Sequence, residues 1–149
     1  MEIKQLLYNK PRFDKYKESE IVETLKVGGD TPLLKLRNGT KQGFDEAGPG
    51  DGINLAFPKS KTRRGRVGKG CSQTLDTSCN MGTIDGCRIR RLTPLECFRL
   101  QGFPDEMVSV ARTLGLADTH LYKMAGNAVT VNVVEAVARK LAEVINGRT

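Results

Sequence analysis

The sequence predicts an α+β protein: an irregular, β-rich first part followed by a helical tail. Three observations carry this. Residues 1–90 are rich in glycine, proline and threonine, and their apolar residues come in short runs separated by turn signals. After Leu92 the apolar spacing becomes helical, in steps of three and four. Between the two lies Thr93-Pro94-Leu95-Glu96, which has the form of a helix start. At 149 residues the chain has the length of one average domain, or of a smaller domain with a tail.

In the first part the predicted strands are "IVETL", "PLLKL", "INLAF", "SQTLD" and "CRIRRL". The turns "GGD", "NGT" and "GPGDG" lie among them. In the tail, Thr93 can cap a helix, Pro94 fits its first position and Glu96 can reach back to complete a capping box. The helix "PLECFRLQ" then stops at Gly102, with Leu95, Phe98 and Leu100 expected to face a core. Further helices are expected over residues 106–114 and from 118 or 119 to 125. The strongest periodicity is in "TVNVVEAVARKLAEVING". There Val131, Val134, Val137, Ala138, Leu141, Val144 and Ile145 form a stripe read as core, and Gly147 follows as a stop. Glu135 and Arg139 are spaced as a solvated pair. Gly126 and Asn127, just ahead of this helix, read as a sharp turn.

The net charge of +7 is localised. Between Lys59 and Arg99 there are ten Lys and Arg against Asp76, Asp85 and Glu96; the remainder has fourteen of each sign and is neutral. The densest stretch is "KSKTRRGRVGKG", residues 59–70. One reading is a solvated loop. An uncompensated basic loop repels itself, however, and is better explained by a polyanion that screens it. Arginines and lysines alternating with glycines suit phosphate contact by DNA or RNA. The charged N-terminus does not resemble a secretory signal. No apolar run approaches the roughly 18 residues that span a bilayer. Four cysteines without a dense framework suit a reducing cytosol. The expectation is a cytoplasmic chain with no membrane partner.

Several chemistries fail on spacing. Gly68-Lys69 is followed by Gly70 rather than the Ser or Thr of a P-loop. Gly65, Gly68 and Gly70 lack dinucleotide-binding spacing. Cys71, Cys79, Cys87 and Cys97 contain no C-x-x-C pair, so no metal site is expected. Cys97 would need a base to act as nucleophile. The only histidine, His120, lies in another helical segment, and Cys97 reads as a small core residue.

Two long segments, taken together, resemble a family. "RRLTPLECFRLQGFPD" resembles the ninth conserved motif of DNA cytosine-5 methyltransferases, and "YKMAGNAVTVNVV" the tenth, in the family's order. "RVGKGCSQTLDTSCNMG" is similar to the end of that family's target-recognition region. The strong resemblance covers roughly residues 63–145. It implies a target-recognition-like region over residues 1–90 and a helical segment over 91–149 that would complete an α/β methyltransferase domain. It implies double-stranded DNA as partner, with Arg63, Arg64, Arg66 and Lys69 on phosphates and Thr74 and Leu75 at the centre of base recognition. It implies S-adenosylmethionine as cofactor, with Asn127, Ala128 and Val129 lining its pocket. Arg90, Arg91, Thr93, Pro94, Glu96, Arg99 and Gly126 are implied to be architecture.

Family enzymes attack C6 of a flipped cytosine with the cysteine of a Pro-Cys-Gln motif and hold the base with Glu-Asn-Val. Neither motif is present here, nor is the family's glycine-rich first motif, so no catalytic residue is assigned. The resemblance therefore implies the C-terminal portion of such an enzyme: a split subunit, a truncated prophage-type gene or an expressed fragment, completed by an N-terminal catalytic portion. The alternative is a stand-alone DNA-binding or regulatory module, or an inactive remnant of a restriction-modification gene. The apolar stripe of the last helix is expected either to mediate self-association or to fold back on the β-rich part.

Overall fold

A computed structural model describes residues 22–28, 31–57, 60–85 and 88–147. The expectations for residues 1–21, Lys59 and Cys87 lie outside the described residues. The chain divides into two compact units. Unit 1 comprises Met1–Thr74 and Asn80–Leu92; unit 2 comprises Leu75–Cys79 and Thr93–Thr149. The α+β class holds. The helical unit begins at Thr93, and it also takes in a short piece of the upstream chain.

Among the described residues, unit 1 contains two antiparallel sheets. The first has β1 (Val22–Gly28), β2 (Thr31–Arg37) and β3 (Phe44–Ala47) in that order. The second is built from β4 (Gly52–Asn54), β5 (Val67–Gly68), β6 (Met81–Asp85) and β7 (Arg88–Arg91), in the order β5-β4-β6-β7. In β2 the two-residue period puts Leu34 and Leu36 into the core while Leu33 and Lys35 stay half-buried. Leu34, Leu36 and Ala47 from the first sheet meet Ile53, Leu55 and Ile84, with Val67 and Ile89 packed against them. Burial of this apolar cluster stabilises unit 1.

The strand expectations are met unevenly. "INLAF" is a strand only as far as Asn54; Leu55 leaves the ladder yet stays buried. "SQTLD" forms no strand, because the chain passes from unit 1 into unit 2 between Thr74 and Leu75. β3 ("FDEA") and β6 ("MGTID") are poor in β-formers and take strand form through pairing with β2 and with β4 and β7. Tertiary pairing overrides local propensity there.

Among the described residues, unit 2 holds four helices. They are α1 (Pro94–Leu100), α2 (Asp105–Thr113), α3 (Asp118–Asn127) and α4 (Val131–Asn146). α1 contacts both α2 and α3. Its buried face is Pro94, Cys97 and Phe98, with the Phe98 ring tilted against Phe103 at 5.7 Å. Leu100, expected to face the core, is 46% exposed. It lies outside the arc that Pro94, Cys97 and Phe98 mark out by their steps of three and one. Val108 and Ala111 of α2 and Leu121, Tyr122 and Ala125 of α3 complete the buried set, together with Leu75 and Cys79 from the upstream segment.

α4 corrects the core reading of its stripe. None of its residues is buried; Val134, Val137, Leu141 and Ile145 are all more than half exposed. The periodicity predicted the helix correctly, but not a covering surface for it. Glu135 and Arg139 pair at 2.6 Å, as their spacing predicts.

Candidate nucleic-acid interface and cofactor turn

The basic loop leaves β4 and returns through β5, and its arginines divide into two kinds. Arg64 is exposed, its Nε donating to the Gly39 carbonyl at 3.2 Å. Arg63 is half-buried, with its guanidinium over the Phe57 ring at 5.6 Å. Arg66 is only 1% exposed. Its guanidinium donates to the carbonyls of Asn54 at 3.3 Å, Ala56 at 3.0 Å and Phe57 at 2.7 Å. Those carbonyls lie where β4 stops pairing, so they need donors, and a guanidinium fork supplies several at once. Burial, and then the charge of Arg63, lowers the pKa of Arg66 from its ordinary value. Arg66 is therefore a structural cation and leaves the phosphate-contact set.

Lys69 is also engaged. Its ammonium donates to the Glu46 carbonyl at 2.6 Å and to Asp51 Oδ2 at 2.9 Å. Asp51 is a buried carboxylate that also accepts the backbone N–H groups of Gly48 and Gly70, each at 2.9 Å. Burial alone would raise its pKa. The Gly48 hydrogen bond, Lys69 and the Gly70 hydrogen bond outweigh that and hold it below the ordinary carboxylate value. Lys69 thus neutralises Asp51 and brings no uncompensated charge to a ligand.

Thr74 is exposed, as a base-reading residue must be. Leu75 is 8% exposed and belongs to the interior of unit 2, which corrects its assignment to base contact. Gln73 was not singled out from sequence. Its Oε1 accepts from Asn54 Nδ2 at 3.2 Å and its Nε2 donates to the Gly65 carbonyl at 2.5 Å, tying the loop to the strand end beside Thr74. A glutamine that bridges two segments leaves no local signal in sequence.

Of the residues read as architecture, Thr93, Pro94 and Glu96 build the start of α1. Glu96 N–H donates to Thr93 Oγ1 at 3.2 Å while Thr93 N–H donates to Glu96 Oε2 at 2.8 Å, a complete capping box with Pro94 at the first helical position. Arg99 pairs bidentately with Asp105 at 2.8 and 2.5 Å. That hydrogen bond, then the opposite charge, raises the Arg99 pKa and lowers that of Asp105. Arg90 on β7 lies 3.4 Å from Asp85, and Arg91 is half-buried on the same strand.

Asn127 is the last residue of α3 and not part of a turn; Ala128 and Val129 follow it toward α4, and Gln101 fastens this connection. Gln101, just past α1, is 9% exposed. Its Nε2 donates to the Ala125 carbonyl at 3.0 Å and to that of Ala128 at 3.5 Å. Its Oε1 accepts from Thr130 Oγ1 at 2.6 Å, and its carbonyl from Val131 N–H at 2.8 Å. One side chain and its backbone thereby join the ninth motif to the tenth. Sequence reading missed it, since glutamine at a helix end is common.

Gly126 corrects a second reading. It lies inside α3, not in a turn. A Cβ there would stand 2.5 Å from the Asp76 carbonyl oxygen and 2.6 Å from Thr77 N, too close for any side chain. The glycine lets the backbone of the upstream segment lie against the helix. The Cys79 N–H donates to the same Asp76 carbonyl at 2.9 Å, closing a tight turn in which Cys79 has φ +45°. Cys79 and Cys97 are both buried with their sulfurs 2.9 Å apart, which further joins this segment to α1.

A strand-rich unit carrying a basic loop, and a helical unit in which α1, the start of α4 and residues 75–79 are bound together, define a DNA-methylase type of chain. Residues 5–143 match the family model of C-5 cytosine-specific DNA methylase, and the chain belongs to that family. Among curated relatives it is similar to the orphan methyltransferase M.SPRI of Bacillus phage SPR, 54% identical over 61 residues. It is also similar to the type II methyltransferase M.BanI of Aneurinibacillus aneurinilyticus, 46% identical over 61 residues. The matched segment covers 41% of this chain in both cases, but 14% of the phage protein and 13% of the other. No solved structure matches the chain. Among the described residues no helix is long and apolar enough to cross a membrane.

Proposed function

We propose that this chain supplies the target-recognition part and one wall of the cofactor pocket of a DNA cytosine-5 methyltransferase, and that it acts with a catalytic portion bearing the nucleophile and the base-holding motif. The observation that carries this reading is the joint at Gln101 and Gly126. Through it residues 75–79, from the end of the recognition-like segment, share one unit with α1 of the ninth motif and with the tenth motif.

Double-stranded DNA is the proposed substrate. Arg63 and Arg64 remain to meet phosphates, and Thr74 to meet base edges. The turn fits one side of an S-adenosylmethionine site. Asn127 and Val129 are both solvent-exposed, one polar and one apolar, while the Ala128 carbonyl is held by Gln101. An amide next to an apolar surface suits a nucleoside, which needs both. When bound, that cofactor supplies the methyl group as an electrophile. The chain's own residues hold and orient it.

The exposed stripe of α4 favours this reading over a stand-alone DNA-binding module, because a partner domain would cover it. Self-association through the same face is the competing use. Light scattering on the wild type and on Leu141→Asp separates them: a monomer in both supports the complementing role, whereas an oligomer that the substitution dissolves supports self-association.

The decisive experiment is complementation. The chain alone should transfer no labelled methyl group to DNA. Mixed with an N-terminal portion containing Pro-Cys-Gln and Glu-Asn-Val, it should restore transfer. Methyl incorporation by the pure chain, or none by the mixture when the two portions bind each other, overturns the proposal.

A further inference from the structure

Phe57 is a large aromatic residue that the roles above do not use. It is 71% exposed, and its φ of +51° lies in the left-handed region that bulky side chains avoid. The residue before a proline is restricted further, and Pro58 follows it. Exposing the ring and bending its backbone both work against folding. Yet the protein devotes a buried cation to holding this geometry. The Arg66 guanidinium donates to the carbonyls of Phe57 and Ala56, and Ser60 N–H donates to the Phe57 carbonyl at 3.0 Å. Asn54 Oδ1 fixes the same turn by accepting from Ala56 N–H at 3.0 Å. Arg63 lies over the ring, and Lys61 and Arg64 are exposed in the same loop.

A strained residue held in place by its surroundings is the pattern of a site shaped for a ligand. The ligand chemistry follows from what is presented: a flat apolar face with cations beside it. A nucleobase with its flanking phosphates matches both at once. We propose that Phe57 stacks on a nucleobase of the bound DNA, as an aromatic wedge whose position is set by Arg66 from inside the protein. Wedges of this kind part neighbouring bases and kink the duplex. This rests on the DNA-recognition reading, to which it adds a named contact.

The chain contains no tryptophan, so Phe57→Trp provides a single indole at the proposed contact, excited selectively over the three tyrosines. The full chain is titrated at low salt with a mixed-sequence fluorescein-labelled duplex, and anisotropy and indole emission are followed together. Stacking predicts that the indole emission of this variant is quenched in step with binding and that affinity stays near that of the wild type. Phe57→Ala should weaken binding by about tenfold. Phe57→Gly should weaken it similarly while raising the melting temperature, because glycine adopts positive φ without strain. Binding by anisotropy with unchanged indole emission, or Phe57→Ala binding like the wild type, overturns the stacking role and leaves DNA recognition standing. Emission that responds to protein concentration alone assigns the ring to an interface between copies and also overturns it. A wild-type chain with no salt-sensitive DNA binding overturns both readings.

Discussion

α1 and α4 are neighbours in the same unit and carry the two best helix signals in the chain, yet they stand in opposite surroundings. α1 has seven residues, a full capping box and a buried face of Pro94, Cys97 and Phe98. α4 has sixteen residues, the stronger periodicity, no side-chain cap at Thr130 and no buried residue. A cap is satisfied by atoms three residues away, so sequence contains both partners. A stripe states only which side can be covered, and what covers it lies elsewhere in the chain or outside it.

The largest test of this contrast is a pair of truncations followed by urea unfolding. Phe98→Ala should cost about 3–5 kcal/mol, the usual range for a buried aromatic. Leu141→Ala should change stability by less than about 0.5 kcal/mol, as for an exposed position. Comparable losses would mean that α4 is covered in solution, and the contrast would fail.

Gly126→Ala gives a test by sign. In an open helix the change would stabilise by about 1 kcal/mol. Here the new methyl meets the Asp76 backbone, and a loss of about 1–3 kcal/mol is expected. A more stable variant would show that the upstream segment does not lie against α3.

Gln101→Ala asks how α4 is attached at its start. It strips partners from the Ala125 carbonyl and the Thr130 hydroxyl, and a cost of about 1–2 kcal/mol is expected. Hydrogen exchange should quicken at the end of α3, at Ala128, and at the first turn of α4. Unchanged protection there would remove Gln101 as the fastening.

The smallest effect concerns the α1 cap. Thr93→Ala should cost about 1 kcal/mol in thermal or urea unfolding. Thr93→Ser should recover most of it, because a hydroxyl still accepts from Glu96 N–H. A neutral Thr93→Ala would show that Pro94 and the buried face suffice without the cap.

What could be read from sequence follows the same division. Thr93, Pro94 and Glu96 were legible because their partners are local, and so were the four helices. Arg66 was misread because a count of cations cannot tell a guanidinium that fills a turn of bare carbonyls from one that meets solvent. Gly126 was misread because glycine has two uses, positive φ and close approach, and only the crossing chain shows which applies. β3 and β6 were missed because their residues are poor strand formers drawn into the ladder by their neighbours. Of the candidate site, Thr74 and Arg64 are exposed and Arg63 is half-buried, while Gln73 and Gln101 emerged only from their long-range partners.

The contact beneath Gly126 also bears on how recognition could be altered. The atoms it meets are main-chain atoms, which every amino acid possesses in the same place. No replacement at Asp76 or Thr77 could make room for a methyl at 126, so a lesion there has no side-chain suppressor across the contact. The joint is therefore set by the path of the main chain at residues 76 and 77, and a change that moves that path would be felt at α3 as directly as a change at the glycine itself.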